Sequence, residues 1–405
     1  MDSRPDYDIL IVGAGPAGLS TALHLAWLAP ELVPRLLVLE SASHPRPKLC
    51  GGALVVDGEI LLNRLGLDVR QVPHVDAAAA HFEYAGRGLV LRHGRRPILR
   101  LVQREVFDAW LAEAARRRGI AIQERTRVRK IRPGADGILV EMEDGILSAR
   151  VVVGADGANG IVRGCVLPRA VRTTARLLEV LLPEGAASRH KAQHAYFDFR
   201  PVPQGIAGYV WDFPAVVDGV AARAWGIYDA NLSPAAARPT LRTLLAGEMA
   251  RHGYSLAGAR LQSHPLRWFE PFNPLSAPGV LLVGDAAGAD PLFGEGISFA
   301  LGSGRLAALA IRRALRSQDF RFRGYRLRFL FSPLGQALVV RWFLAYVVYS
   351  LRAPAFQWLL WRVLQPLVAA VALTLVINWS YRTAFTGFGS ALRNRGNSAH
   401  VRAGK

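Results

Sequence analysis

The stretch Asp8 to Gly18, DILIVGAGPAG, constrains the fold more than any other part of the chain. Asp8 to Val12 is a short apolar run, long enough for one buried parallel strand. Gly13, Gly15 and Gly18 follow in the G-x-G-x-x-G spacing, and each has its own steric reason. Gly13 allows the tight turn out of the strand, Gly15 lets a pyrophosphate approach the backbone, and Gly18 lets the next helix pack close to the strand. That helix, about Pro16 to Leu28, points its free N–H groups at the phosphates. A second apolar run, Leu36 to Leu39, ends in Glu40, placed to accept from a ribose hydroxyl pair. Strand, glycines, helix, strand and terminal acid come in the order a dinucleotide site requires. The plainer alternative is an ordinary glycine-rich strand-to-helix turn.

The chain has 405 residues, enough for about two domains and a large core. Its formal net charge of +19 is carried almost wholly by arginine, and 51% of its residues are hydrophobic. The charge is unevenly placed. No Asp or Glu follows Asp319, whereas Arg321, Arg323, Arg326, Arg328, Arg341, Arg352, Arg362, Arg382, Arg393, Arg395, Arg402 and Lys405 do. That pattern suits an anionic membrane surface. Nucleic acid is not expected as a partner, because the basic residues are interleaved with long apolar runs and no binding motif accompanies them. Two cysteines, Cys50 and Cys165, offer no metal spacing and no disulfide framework, which points to a reducing compartment. No signal peptide is expected at the acidic N-terminus.

Along the chain, Pro45 to Gly52 (PRPKLCGG) reads as a loop above the first sheet, and Gly58 to Leu65 as a short helix. Ala78 to Leu91 reads as a hairpin turning at Gly86–Gly88. Gln103 to Arg118 reads as a helix with Val106, Trp110, Leu111 and Ala114 on one face. A β-meander, Ile138 to Glu143 and Ile146 to Val153, leads into Gly154-Ala155-Asp156-Gly157. From about Arg172 the texture becomes aromatic and strand-like, with turns that include Asp218-Gly219. This predicts an antiparallel sheet with one covered face. Val280 to Val283 restores a parallel-type run and ends at Gly284-Asp285. Two apolar blocks, Leu334 to Leu351 and Phe356 to Trp379, are interrupted by Arg341 and Arg362. The favoured expectation is helices in a membrane interface, with Trp342, Trp358, Trp361 and Trp379 at headgroup level. True spans and a helical subdomain packed on the core are the alternatives.

Three separated segments, GAGPAG with Glu40, GADG at Gly154 to Gly157, and GDAAGADPLFGEGI at Gly284 to Ile297, together resemble the flavoprotein hydroxylase group, the fold of p-hydroxybenzoate hydroxylase. Within that group, Lys48-Leu49-Cys50-Gly51-Gly52 and Gly208-Tyr209-Val210-Trp211-Asp212-Phe213-Pro214 are similar to the Cys-Gly-Gly loop and Y-x-W-x-F-P strand of geranylgeranyl reductases. Ala215 departs from that family, which often has Lys there.

The resemblance implies an α/β chain with a Rossmann-like three-layer FAD-binding domain (residues 1–75, 100–170 and 267–330). An antiparallel-sheet substrate domain (76–99 and 171–266) interrupts it, and an apolar, basic helical region (331–405) follows. It implies that Gly13, Gly15, Ala17 and Gly18 cradle the FAD pyrophosphate and that Glu40 takes the ribose. Arg104 would contact the flavin chain or, more simply, be a surface arginine. Val128 would line the adenine, Asp156 and Gly157 would belong to the cofactor site, and Asp285 would meet the ribityl or a phosphate-bound water. The N–H groups of Gly296 and Ile297 would face the flavin ring, with Cys50 and Gly51 against it. Cys50 is then a proton donor, a positioner of the alkene, or merely a small buried side chain. Tyr209, Trp211 and Phe213 alternate, so they share one sheet face and wall a prenyl tunnel or fill a core.

The function implied is reduction of isolated C=C bonds in a prenyl chain, with NADPH or reduced ferredoxin as donor, at the cytoplasmic side of a membrane. The alternatives are a flavin monooxygenase or halogenase, for which Lys48, Lys130, Lys191 and Lys405 are the lysines on hand, and a membrane flavoprotein passing electrons to quinone.

Overall fold

The computed structural model describes residues 5–94, 96–167, 174–185, 190–217, 219–232, 238–372 and 379. The chain opens with β1 (Tyr7–Val12), α1 (Pro16–Leu28), β2 (Leu36–Leu39), β3 (Ala53–Leu54) and α2 (Val56–Arg64). Next come β4 (His74–Ala77), β5 (Ala79–Tyr84), β6 (Arg87–Leu91), β7 (Leu99–Val102) and α3 (Arg104–Arg116). β8 (Ala121–Gln123), β9 (Val128–Gly134), β10 (Gly137–Met142) and β11 (Gly145–Gly154) precede α4 (Ile161–Val166). The middle holds β12 (Ala175–Pro183), β13 (His194–Asp198), β14 (Gly208–Val217), β15 (Val220–Asp229), α5 (Leu241–Arg251) and β16 (Gln262–Leu266). Then follow β17 (Ser276–Ala277), β18 (Val280–Leu282), α6 (Ile297–Ser317), α7 (Tyr325–Phe331) and α8 (Pro333–Ser350). The last described elements are α9 (Pro354–Trp358), a π-helical turn (Leu359–Val363) and α10 (Gln365–Val371).

Strands β18, β11, β1, β2 and β8 lie side by side and parallel, forming a Rossmann-like sheet. β1 and β2 are apolar because both faces of this sheet are covered. On one face α1 packs against α6 closely enough that Ser20 Oγ donates to the Leu301 carbonyl at 2.7 Å. The register pairs Val12 with Gly154 and Gly154 with Leu282. The three glycine-bearing segments therefore leave the sheet at the same edge, the carboxyl ends of parallel strands where open α/β sheets bind ligands.

The second sheet has seven strands in the order β16-β12-β15-β14-β13-β5-β6. It departs from the purely antiparallel expectation at one pair, since β13 runs parallel to β5. It also departs from the expectation of a single covered face. Tyr209, Trp211 and Phe213 are buried on one side, while Trp225, Val210 and Ile227 pack with Leu245 and Met249 of α5 on the other. β3, β7 and β4 form a small separate sheet.

Two local readings are corrected. In α3 the buried face carries Phe107 (0% exposed) with Leu111, Ala114 and Ala115, whereas Val106 is exposed at 36%. The phase slips because Asp108, a polar residue, belongs to the buried face through its ion pair with Arg104. The C-terminal helices also differ from the expected interfacial arrangement. Trp361 and Trp379 are each only 4% exposed rather than at headgroup level. Trp361 stacks on Phe199 at 4.1 Å, and Trp379 on Phe299 at 5.6 Å. Gln365 Nε2 donates to the Gly88 carbonyl at 3.1 Å, fastening α10 to β6. Trp358 is exposed, and Trp342 is partly so. Asp218, Arg172, residues 373–378 of the second apolar block, Arg382, Arg393, Arg395, Arg402 and Lys405 lie outside the described residues.

Candidate functional site

A cavity of about 720 Å³ separates the parallel sheet from the seven-stranded sheet. Gly13, Gly15, Ala17, Glu40, Cys50, Gly51, Arg104, Val128, Asp156, Gly157, Asp285, Gly296 and Ile297 all line it, together with Tyr209, Trp211 and Phe213. Gly18 does not, and its place in the phosphate cradle is corrected: a Cβ there would lie 1.9 Å from the Gly13 carbonyl oxygen, so its absence serves helix–strand packing. Gly13 has φ +107°, and a Cβ would meet the Ala155 oxygen at 2.4 Å, so this turn admits only glycine.

The polar limb of the cavity fits the FAD that the resemblance implies. Two helices open into it with no side-chain cap, α1 behind Gly15 and α6 behind Gly296, leaving first-turn amides for an anion. The space at Gly15 is met only by the Arg46 guanidinium, 3.5 Å from where a Cβ would be. Glu40 is held at the end of β2 by backbone donors: Ala14 N to Oε2 at 2.9 Å and Ala42 N to Oε1 at 3.0 Å. Arg46 Nη2 stands 3.5 Å from both Glu40 and Asp108. Arg104 is no surface residue. It pairs with the fully buried Asp108 through two bonds of 2.9 Å, and the acid beside it raises its already high pKa against the opposing effect of burial. Asp156 accepts from Val162 N at 3.1 Å through Oδ2, while its buried Oδ1 has no hydrogen-bond partner among the described residues, and burial raises its pKa.

Above the Gly294–Ile297 turn the walls become aromatic. A Cβ on Gly51 would lie 3.1 Å from the Phe213 ring and 3.5 Å from Trp211 Nε1, so the thiol loop and the aromatic strand touch. Cys50 Sγ accepts from Gly52 N at 3.4 Å. Tyr209 donates its hydroxyl to the Phe293 carbonyl at 2.5 Å, and burial raises its pKa well above the ordinary phenol value. The cavity continues between β5, β6 and the C-terminal helices, where Phe82, Leu89, Leu91, Trp361, Val368 and Ala372 line it.

Several residues of the site escaped the sequence reading. That reading gives Arg46 no role of its own, and names Lys48 only within the Cys-Gly-Gly loop and among the lysines of the halogenase alternative. Lys48 Nζ lies 2.7 Å from His264 Nε2, across 216 positions. Arg341, noted as an interruption in an apolar block and counted among the basic residues facing a membrane surface, is instead 2% exposed and reaches the turn before α6. Its Nη1 lies 2.6 Å from Asp290 Oδ2 and 2.7 Å from Glu295 Oε2. The available signal was the lone arginine itself: in an apolar helix such a charge needs a buried acid elsewhere.

A family model described as "FAD binding domain" matches residues 6–302. The chain is 29% identical over 344 residues to digeranylgeranylglycerophospholipid reductase 1 of Methanopyrus kandleri, covering 78% of this chain and 82% of that protein. It is 28% identical over 323 residues to geranylgeranyl diphosphate reductase of Rhodobacter capsulatus, covering 77% of this chain and 76% of the relative. A geranylgeranyl bacteriochlorophyll reductase-like protein from Thermoplasma acidophilum superposes with a TM-score of 0.74 at 19% identity, covering 97% and 99% of the two chains. That last likeness establishes a shared fold.

Proposed function

The chain belongs to the FAD-binding domain family, and on that footing we propose that it is an FAD-dependent prenyl reductase, saturating isolated C=C bonds of an isoprenoid chain on a lipid, quinone or pigment precursor. The observation that carries this reading is the contact of the Cys50–Gly51 loop with Trp211 and Phe213 in front of the Gly294–Ile297 turn. Gly13, Gly15, Ala17, Arg46 and the start of α1 would hold the pyrophosphate, Glu40 the ribose, and the start of α6 the flavin ring. FAD bound there in reduced form supplies a hydride equivalent.

The rest of the work belongs to side chains of this protein. Tyr209, Trp211, Phe213, Phe197 and Phe82 give an apolar wall that orients the chain and excludes water. Cys50 lines the cavity beside this wall and would supply the second hydrogen as a proton donor, or position the alkene. NADPH or reduced ferredoxin is the proposed donor of electrons. Of the lysines that a halogenase reading calls on, Lys48 is the one lining the cavity among the described residues, and it is bonded to His264.

The reading is tested with dithionite-reduced holoenzyme under anaerobic conditions, analysing prenyl substrates by mass spectrometry. The expected product gains a pair of hydrogens for each bond reduced, and Cys50→Ala keeps its FAD but loses or redistributes the reduction. Oxygen- or halide-bearing products from the aerobic enzyme, with no saturated chain, point to the hydroxylase or halogenase alternative. C50A turnover and product pattern equal to those of the wild type would remove the thiol from the mechanism.

We also propose that the protein rests on the cytoplasmic surface of a membrane. Phe331 and Phe343 are 75% and 60% exposed, and Trp358, Val363 and Leu367 of the elements that follow are exposed as well. Among the described residues no single helix is long and apolar enough to cross a membrane, although the bent pair α7–α8, at 77°, passes that test together. Shallow insertion of these side chains, aided by nearby arginines, is the arrangement expected. Replacing Phe331, Phe343 and Trp358 together by Ser should release the protein from anionic vesicles in a sedimentation assay. Full retention would show that another surface binds.

A further inference from the structure

Residues 291–293 lead into the turn before α6 and belong to no helix or strand. Their backbone has no ladder to satisfy it, although Pro291 and Leu292 are buried. On the N–H side one residue serves three peptide units. Leu292 N and Phe293 N donate to the Asp290 carboxylate at 2.8 and 3.2 Å, and Gly294 N donates to the Asp290 carbonyl at 3.0 Å. On the carbonyl side stand three buried tyrosines. Tyr228 donates to the Pro291 carbonyl at 3.1 Å, Tyr349 to the Leu292 carbonyl, and Tyr209 to the Phe293 carbonyl. Among the described residues none of these carbonyls accepts from a backbone N–H. Three consecutive peptide units are thus each held at both ends.

The tyrosines come from two parts of the fold. Tyr209 of β14 and Tyr228 of β15 face each other across the strand pair, with ring centroids 5.8 Å apart. Tyr349 lies on α8, about two helical turns beyond Arg341, which bonds Asp290 and Glu295 of the same segment. Tyr209 and Tyr228 line the cavity, and Tyr349 does not. Gly294 rests on Tyr228, since a Cβ there would lie 3.2 Å from its ring. Burial raises the pKa of all three phenols well above the ordinary value, so each hydroxyl stays a donor.

We infer that Tyr209, Tyr228 and Tyr349 form a clamp that positions the first turn of α6, and that Tyr349 thereby sets the stability of reduced flavin from outside the cavity. The inference rests on the FAD site at the start of α6. The free N–H groups there stabilise charge on the flavin ring only when aimed at it, because a hydrogen bond weakens steeply below about 120°. Gly294 and Gly296 give the turn little stiffness of its own. A carbonyl stranded without its phenol is costly, so its peptide unit turns to find another partner, and the glycines that follow turn with it. α8 is then a splint for the cofactor site, with Tyr349 and Tyr228 as positioning residues.

The test is Tyr349→Phe, which removes one oxygen and keeps the ring. In substrate-free holoenzyme the preference for reduced over oxidised flavin should weaken about tenfold, a fall in midpoint potential of about 30 mV. With a prenyl substrate, kcat should fall by a factor of about 3–10 while KM stays unchanged, because Tyr349 does not line the cavity. Tyr228→Phe should move the potential in the same direction. Tyr325→Phe is the control: that hydroxyl is buried with no hydrogen-bond partner among the described residues, so potential and turnover should not change.

A Y349F holoenzyme that melts at a lower temperature but keeps the wild-type potential and kcat overturns the proposal, since the phenol then serves stability alone. An equal shift from Y325F overturns it as well. If Y349F does not fold, an unshifted potential in Y228F has the same force. The potential is read without substrate. A wild type that saturates no prenyl chain therefore ends the reductase reading, and the shift in Y349F still decides the clamp.

Discussion

Arg341→Ala is expected to lower the stability of the holoprotein by about 3–5 kcal/mol and to loosen the FAD site, because it strands two buried carboxylates on one guanidinium's former place. Asp290 is fully buried and accepts from Leu292 N at 2.8 Å and Phe293 N at 3.2 Å, so it retains some compensation. Among the described residues the Glu295 carboxylate accepts from no backbone N–H, and burial already raises its pKa. The guanidinium also lies over the Phe299 ring at 4.7 Å, so its loss removes packing as well as charge. Because Asp290 and Glu295 flank the Gly294 turn, the damage should reach the N-terminus of α6. Urea unfolding and the flavin content of purified protein measure the two effects. A neutral trio, Arg341→Met with Asp290→Asn and Glu295→Gln, should recover much of the lost stability, since no buried charge is left unpaired. A loss below about 1 kcal/mol for R341A would mean that the ion triad does not hold the turn.

Gly226→Ala is the second large effect. Gly226 of β15 pairs directly with Trp211 of β14. A Cβ there would lie 2.1 Å from Trp211 Cζ2 and 2.5 Å from the Leu178 carbonyl oxygen. The backbone of the neighbouring strand cannot move aside, so the indole must leave the sheet surface and enter the cavity. Overpacking of this kind costs about 1–3 kcal/mol. The larger consequence is functional: prenyl reduction should fall steeply while bound FAD, held mainly by the other sheet, stays near full occupancy. Gly247→Ala inside α5 is the control: a Cβ there meets nothing within 4 Å, so the change should raise stability by about 0.5–1 kcal/mol through helix propensity and leave turnover as it was. Undiminished turnover by G226A would remove Trp211 from the substrate wall.

How much of this was legible in advance follows the range of the interactions involved. β2 and α1 fall at the residues read from the sequence, and β1 begins one residue earlier, because an apolar run, a glycine turn and an uncapped helix are written in consecutive positions. The Ala79–Leu91 hairpin and the parallel return at Val280 were legible for the same reason. The phase of α3 was missed by one residue. A helix turns about 100° per residue, and the partner that puts Asp108 inside is a side chain, not a pattern. The pairing of β13 with β5 joins segments more than a hundred positions apart, and each segment alone is compatible with many neighbours.

The sequence by itself determined the nucleotide-binding half of this protein. Glycine at Gly13 and Gly15, the acid at Glu40 and the strands around them are local requirements of turn geometry and phosphate approach, which any fold of this chain must meet. Only the tertiary structure decided that Arg341 belongs to the site, that Trp361 closes its apolar end and that Lys48 meets His264. Those contacts depend on which surfaces the folded sheets bring together, and a buried charge or ring carries no mark in the sequence of the partner that satisfies it.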